Sequence, residues 1–188
     1  MIMLWNDERG GTSMVYAQRI DGEGNMLWQE NGINICPAAL HSFFVSVVSD
    51  GAGGVIAVWD EYRNINRDIY AQRVDGSGTI LWGDGVAVCT NGSDQYSPKI
   101  VTDGSGGAIV AWLDYRAGSE IYAQRIDADG NPLWDTDGNP VCSAGGYQNS
   151  MSMAPASGGG AFIAWYDDRY GYSEAFVQYV DLNGSPVW

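Results

Sequence analysis

Apolar and polar positions along this chain alternate in short bursts, and none keeps the three-to-four-residue period of a helix. The clearest stretch lies between residues 97 and 141. Ser97 to Thr102 is a short extended run that ends at the turn sequence Asp103-Gly104-Ser105-Gly106-Gly107. Ala108 to Leu113 is a continuous apolar run, the pattern of a strand covered on both faces. Glu120 to Ile126 then sets Ile121, Ala123 and Arg125 against Tyr122, Gln124 and Ile126, the two-residue alternation of a pleated strand. Asp127-Ala128-Asp129-Gly130 reads as a tight hairpin turn, with glycine supplying the positive φ such turns need. Pro132 to Val141 is predicted to hold a last strand. Essentially no helix is expected.

The same pattern returns along the whole chain. Trp5, Trp59, Trp112 and Trp165 recur about every 53 residues, as do Tyr16, Tyr70, Tyr122 and Phe176. Trp28, Trp82, Trp134 and Trp188 keep that spacing, and so do Cys36, Cys89 and Cys142. The predicted units are about 1–36, with its first strand missing, 37–89, 90–142, and 143–188, with its last strand incomplete, near 15 strands in all. Four short antiparallel strands per unit, each unit needing neighbours to bury its faces, predict an all-β chain of β-propeller blades. The options are four blades in one chain, a segment of a larger ring, or a ring completed by a homodimer partner.

Composition narrows the partners. The 188 residues carry 9 basic and 23 acidic side chains, a formal charge of −14, which repels phosphate backbones and excludes nucleic acid. An apolar content of 45 % is too high for disorder, and no apolar run approaches the ~18 residues of a membrane span, so no membrane insertion is expected. The opening residues, Met1 to Asp7, show neither a basic nor a long apolar region. They read as a chain opened mid-way rather than as a signal peptide. An acidic chain with a single lysine suits an extracellular or cell-surface setting. The three cysteines share one position in successive units, too far apart for disulfides and best read as small buried apolar residues.

The runs Ser97 to Gly104, Ala111-Trp112-Leu113-Asp114-Tyr115-Arg116 and Ile121 to Asp127 resemble blades of the sialidase-like propellers with neuraminidase (Asp-box) repeats. They are still more similar to ~53-residue repeats of secreted or surface bacterial proteins of unassigned function. The turn departs from the Asp-box, since Asp75, Gly78 and Trp82 stand three and seven apart where that motif has two and five. The resemblance implies a six-bladed ring for sialidases, more than one such chain can build.

Several constellations bear on chemistry. Trp5/Asp7/Arg9, Trp112/Asp114/Arg116 and Trp165/Asp167/Arg169 repeat one spacing, while unit two reads Trp59-Asp60-Glu61-Tyr62-Arg63, with its acid moved. Repetition in every unit favours a structural Arg–carboxylate tie over a catalytic group. No unrepeated Tyr/Glu pair of sialidase type stands out, and no catalytic residue is assigned. His41 is the only histidine and reads as a surface loop residue. Asp127 and Asp129 resemble the start of a calcium loop without its later glutamate, so turn chemistry is the stronger reading and no cofactor is expected.

Differences between units are where a specific function would reside. The loops Gly10 to Ser13, Asn64 to Arg67, Ala117 to Ser119 and Tyr170 to Ser173 vary, as do Pro37 to Ser42, Thr90 to Gln95 and Ser143 to Gln148. Tyr62, Tyr96, Tyr147, Tyr170 and Tyr172, expected to be exposed, are candidates to stack on sugar rings, with Gln95 and Gln148 as hydrogen-bonding partners. The sequence therefore reads as a non-catalytic binding or scaffold module of a secreted or surface bacterial protein, meeting a polysaccharide or a protein partner through its loops. A sialidase-like glycoside hydrolase and a ligand-free spacer are the alternatives.

Overall fold

A computed structural model describes residues 1–142 and 144–188, leaving out the side chain of Phe44; Ser143, in one of the variable loops, lies outside the described residues. The chain is all-β, with four antiparallel meander sheets and no helix among the described residues. Sheet 1 contains β1 (Ile2–Asp7), β2 (Met14–Arg19) and β3 (Ile33–Asn34). Sheet 2 contains β4 (His41–Ser49), β5 (Val55–Tyr62), β6 (Arg67–Val74) and β7 (Val86–Cys89). Sheet 3 contains β8 (Gln95–Thr102), β9 (Ala108–Asp114), β10 (Glu120–Ile126) and β11 (Asn139–Cys142). Sheet 4 contains β12 (Gln148–Pro155), β13 (Ala161–Asp167) and β14 (Glu174–Val180). No described helix is long and apolar enough to cross a membrane.

Fourteen strands are described, against the near-fifteen expected. The run Pro132 to Val141 is not one strand: Pro132 makes an isolated bridge to Ile126, and β11 begins only at Asn139. The intervening Trp134 belongs to a connection that β10 holds down by a side chain. Gln124 accepts from the Trp134 backbone N–H (2.9 Å) and donates to the Asp135 carbonyl (2.8 Å). Gln18, Gln72 and Gln178 clamp the same connection in the other sheets, which explains a glutamine after Tyr-Ala in the repeat. β8 starts two residues earlier than expected, because the ladder to β9 continues through a bulge between Tyr96 and Lys99, where Ser97 has φ 53°. His41 opens β4 rather than lying in a loop.

The sheets pack face to face in chain order. Residues directly opposite in antiparallel strands share a face, so Trp59 with Tyr70 lies on one face of sheet 2, and Ile56 and Val58 lie on the other. The Trp59 face packs on Val15, Ala17, Ile2 and Leu4 of sheet 1. The Ile56 face receives Trp112 and Val110 of sheet 3, and the opposite face of sheet 3, with Ile109 and Ala111, receives Trp165 and Ile163 of sheet 4. Small residues alternate with tryptophan along each central strand because neighbouring sheets interdigitate there. All three cysteines are free thiols.

Candidate functional site

Strand polarity brings the variable loops to one end of the stack. His41 pairs with Tyr62 and Tyr62 with Arg67, Gln95 pairs with Asp114 and Asp114 with Glu120, and Gln148 pairs with Asp167 and Asp167 with Glu174.

At this end each sheet repeats one polar knot. The indole N–H of Trp5, Trp59, Trp112 and Trp165 donates to Asp7, Glu61, Asp114 and Asp167 respectively. Arg9, Arg63, Arg116 and Arg169 bind those same carboxylates and lie over Tyr16, Tyr70, Tyr122 and Phe176, 3.8–4.1 Å from the ring centroids. Glu61 thus fills the repeat's acid position in unit two. The acid expected there as displaced, Asp60, is an addition. These carboxylates are spoken for by their own hairpins: Arg169 and Trp165 hold Asp167 down at about 2. The aspartates after β2, β6, β10 and β14 serve turns in the same way. Asp127 accepts from the backbone N–H of Asp129 (2.9 Å) and Asn131 (2.8 Å), and Asp21, Asp75 and Asp181 repeat the pattern.

Asp60 and Arg67 form the feature that one unit alone possesses. Units one, three and four carry Asn6, Leu113 and Tyr166 at the position of Asp60, and Ser13, Ser119 and Ser173 at that of Arg67. Arg67 pairs with the fully buried Asp60 carboxylate. Its guanidinium lies 3.9 Å from the Phe43 ring centroid and 4.5 Å from that of Tyr96, with Tyr62 farther off at 6.0 Å. The Ser97 N–H donates to Asp60 (3.2 Å). Burial pushes Asp60 up to about 6 against the pull of Arg67. Asp94 accepts from the Arg67 backbone N–H (2.9 Å) and from the Tyr96 hydroxyl (2.7 Å), which hold it below the usual carboxylate range. Burial and that carboxylate push the Tyr96 hydroxyl up to about 12.

Beside this pair opens a cleft of about 660 Å³, lined by Asn66, Asp94, Tyr96, Ser97, Tyr115 and Tyr147 among others. Tyr96 and Tyr115 meet edge to face at 5.3 Å, and the hydroxyls of Tyr115 and Tyr147 lie 3.1 Å apart. The arrangement offers aromatic faces, hydroxyls and one carboxylate to a neutral polar ligand.

Of the residues expected to bind, Tyr96 and Tyr147 line this cleft, and Tyr62 stands behind Arg67, edge-on to Phe43 at 6.1 Å. Tyr170 and Tyr172 are exposed (65 % and 63 %) in the β13–β14 connection and do not line it. Gln95 and Gln148, expected as hydrogen-bonding partners of a ligand, are fully buried and face none. Their side chains turn inward, Gln95 donating to the Ser93 carbonyl (2.7 Å) and Gln148 to the Ala144 carbonyl (3.1 Å). Tyr115, Asp94 and Arg67 were missed. A charged Arg67 where the other units have serine was the available signal.

Solved structures resemble the chain at low identity. An endo-arabinase from Bacteroides thetaiotaomicron is 13 % identical with a TM-score of 0.52, covering 100 % of this chain and 70 % of its own. An endo-1,4-beta-xylanase from the same organism is 12 % identical with a TM-score of 0.54, covering 99 % of this chain and 68 % of its own. Likeness at that identity concerns the fold alone. No protein-family model and no curated protein matches the chain, so the sialidase-type repeats have no support from a family model.

Proposed function

We propose that the chain is a β-propeller segment that binds a polysaccharide, without catalysis, through the cleft of Tyr96, Tyr115 and Tyr147. One observation carries the reading: three tyrosines from two sheets converge on one 660 Å³ cleft with Asn66, Ser97 and Asp94 beside them. Sugar rings present C–H faces to aromatic rings and hydroxyls to polar groups, and this cleft offers both. The solved structures of like fold carry the names of enzymes acting on arabinan and xylan, which makes plant polysaccharides the first ligands to try. A secreted or surface location suits such a ligand.

A second reading, a glycoside hydrolase, draws on the same fold likeness and on the split between Asp60, raised to about 6, and the lowered Asp94. A general acid and an ionised partner are what glycoside hydrolysis requires. Asp60 is enclosed and held by Arg67 and the Ser97 N–H, so it presents no face to a glycosidic bond, and binding is the better-supported role.

Calorimetric titration with arabinan and xylan oligosaccharides tests the reading. Saturable binding is expected, weakened about fivefold by Tyr115→Ala, the loss of one aromatic contact worth roughly a kilocalorie per mole. Absence of saturable binding would remove it. Release of reducing sugar that Asp94→Asn abolishes would replace it with the hydrolase.

A further inference from the structure

The chain makes one kind of sheet junction three times and carries both halves of a fourth, unpaired. At each internal junction the tryptophan-bearing face of one sheet covers the aliphatic face of the sheet before it. Trp59 and Trp112 are completely buried by that contact, and Trp165 is 5 % exposed. Trp5, on the same face of sheet 1, stacks on Tyr16 and stays partly exposed, with Met3 beside it at 40 %. At the other end, the aliphatic-side face of sheet 4 leaves Val177 at 52 % and Tyr166 at 49 % exposure.

A second device crosses every internal junction. A tryptophan from one unit seats its ring on a positive-φ glycine in the hairpin turn of the next. A Cβ on Gly78 would lie 3.0 Å from Trp28, one on Gly130 3.0 Å from Trp82, and one on Gly184 2.7 Å from Trp134. The Trp28 and Trp134 indoles also donate to the Gly76 and Leu182 carbonyls of those turns (3.3 and 3.0 Å). The fourth tryptophan, Trp188, is 68 % exposed, lying against Phe162 (5.5 Å) and Tyr179 (6.2 Å) on the open face of sheet 4. The fourth glycine, Gly24 at φ +89°, has nothing within 4 Å of a Cβ placed on it.

We propose that a second copy of this chain docks head to tail, its Trp5/Tyr16 face laid on the Phe162/Val177 face of the first. Trp188 then seats on the partner's Gly24, its indole N–H aimed at the partner's Gly22 carbonyl, as Trp28 aims at Gly76. The second copy is the fitting occupant because its free face repeats the half that covers each preceding sheet within the chain. The contact is heterologous, joining two different faces. It depends on the sheet faces alone and stands whether or not the cleft binds glycan.

Light scattering of the whole chain over a concentration series tests it. The mass is expected to rise above the 20.3 kDa of one chain. Met3→Asp and Val177→Asp, both at exposed positions, each leave monomers with an unchanged circular dichroism spectrum. Mixing the two variants restores a one-to-one complex, because each retains the face the other has lost. Trp188→Ala weakens association about tenfold or more, as loss of a central tryptophan anchor does. A single-chain mass throughout the series would overturn the proposal. So would a mixture of the two variants that stays monomeric, or either variant associating as the unaltered chain does.

Discussion

Asp60 and Arg67 show how much one residue's surroundings decide its chemistry. Asp60 follows a repeat tryptophan, as Asn6, Leu113 and Tyr166 do, yet it points into the junction with sheet 3 and accepts the Ser97 N–H there. Burial raises it to about 6, and raises Asp68 likewise to about 6, from an ordinary 3.8. Between about pH 4 and 6 the folded chain therefore holds protons that the unfolded chain has released. Their stabilisation is full below about pH 4 and is lost as the pH rises through 6. Asp50, Asp94 and Asp167 are lowered instead, so theirs is full above about pH 4 and is lost on acidification. The melting temperature is expected to peak near pH 4–5 and to fall by several degrees toward pH 7, in line with linkage for groups shifted in opposite directions. Asp60→Asn shallows that fall, and calorimetric scans of both chains between pH 4 and 7.5 check it. A slope unchanged in the variant would take Asp60 out of the account. The sequence reading placed the repeat's acid at Asp60, although Glu61 stands two residues after Trp59, as Asp7, Asp114 and Asp167 stand two after their tryptophans, and strand alternation turns such a pair to one face. Gln95 and Gln148 were misjudged for a related reason. A place in the variable loops suggested contact with a ligand, whereas each glutamine opens the first strand of its sheet, where its side chain is enclosed and reaches a backbone carbonyl.

At the scale of the element, the strand cores were the legible part. Ala108 to Leu113 and Glu120 to Ile126 agree with β9 and β10 to within a residue, since burial on two faces and pleated alternation leave direct marks in composition. The fourth strand was placed within Pro132 to Val141, but its start at Asn139 was not legible. Its connection is apolar enough to resemble a strand, but Trp134 is there to cover the next hairpin turn and Gln124 holds the chain away from the ladder. Glycines in these connections differ sharply in what they permit. Gly138 has φ +82°, and a Cβ there would lie 2.5 Å from the Trp112 ring and 2.7 Å from the Ala123 carbonyl. Gly104 has a similar φ of +80° with open space around it. Gly104→Ala should cost about 1 kcal/mol, the left-handed backbone penalty alone. Gly138→Ala should cost ~3 kcal/mol or more, because overpacking against a buried indole adds to that penalty. Urea denaturation of the two variants separates the contributions, and equal losses would mean that the Trp112 contact yields without strain.

The whole molecule is a succession of four sheets, each bearing on its neighbours in the chain. The succession of sheets was legible from the repeat, and so were Tyr96 and Tyr147, but the cleft as a whole was not, because it is lined from sheets 2, 3 and 4 at once. Asn66, Tyr96 with Tyr115, and Tyr147 come from three successive units, and no single copy of the repeat contains it. Stacks with two free ends also distribute stability unevenly. An inner sheet gains two interfaces and an end sheet one, so the ends open at lower free energy. Amide exchange is accordingly expected to be slowest in β5, β6, β9 and β10 and faster in β1, β2 and β14. Head-to-tail docking adds a specific dependence to that ranking. When a second copy covers an end face, that sheet gains the neighbour it lacks, and its opening cost grows with protein concentration as RT ln(1 + [L]/Kd). Raising the concentration tenfold past the dissociation constant should slow exchange in β1, β2 and β14 by up to about tenfold and leave β9 and β10 unchanged. In Met3→Asp alone the end strands should keep their fast rates at every concentration. Slowing spread evenly over all four sheets would instead indicate a general excluded-volume effect, since only a contact confined to the two end faces protects the ends selectively.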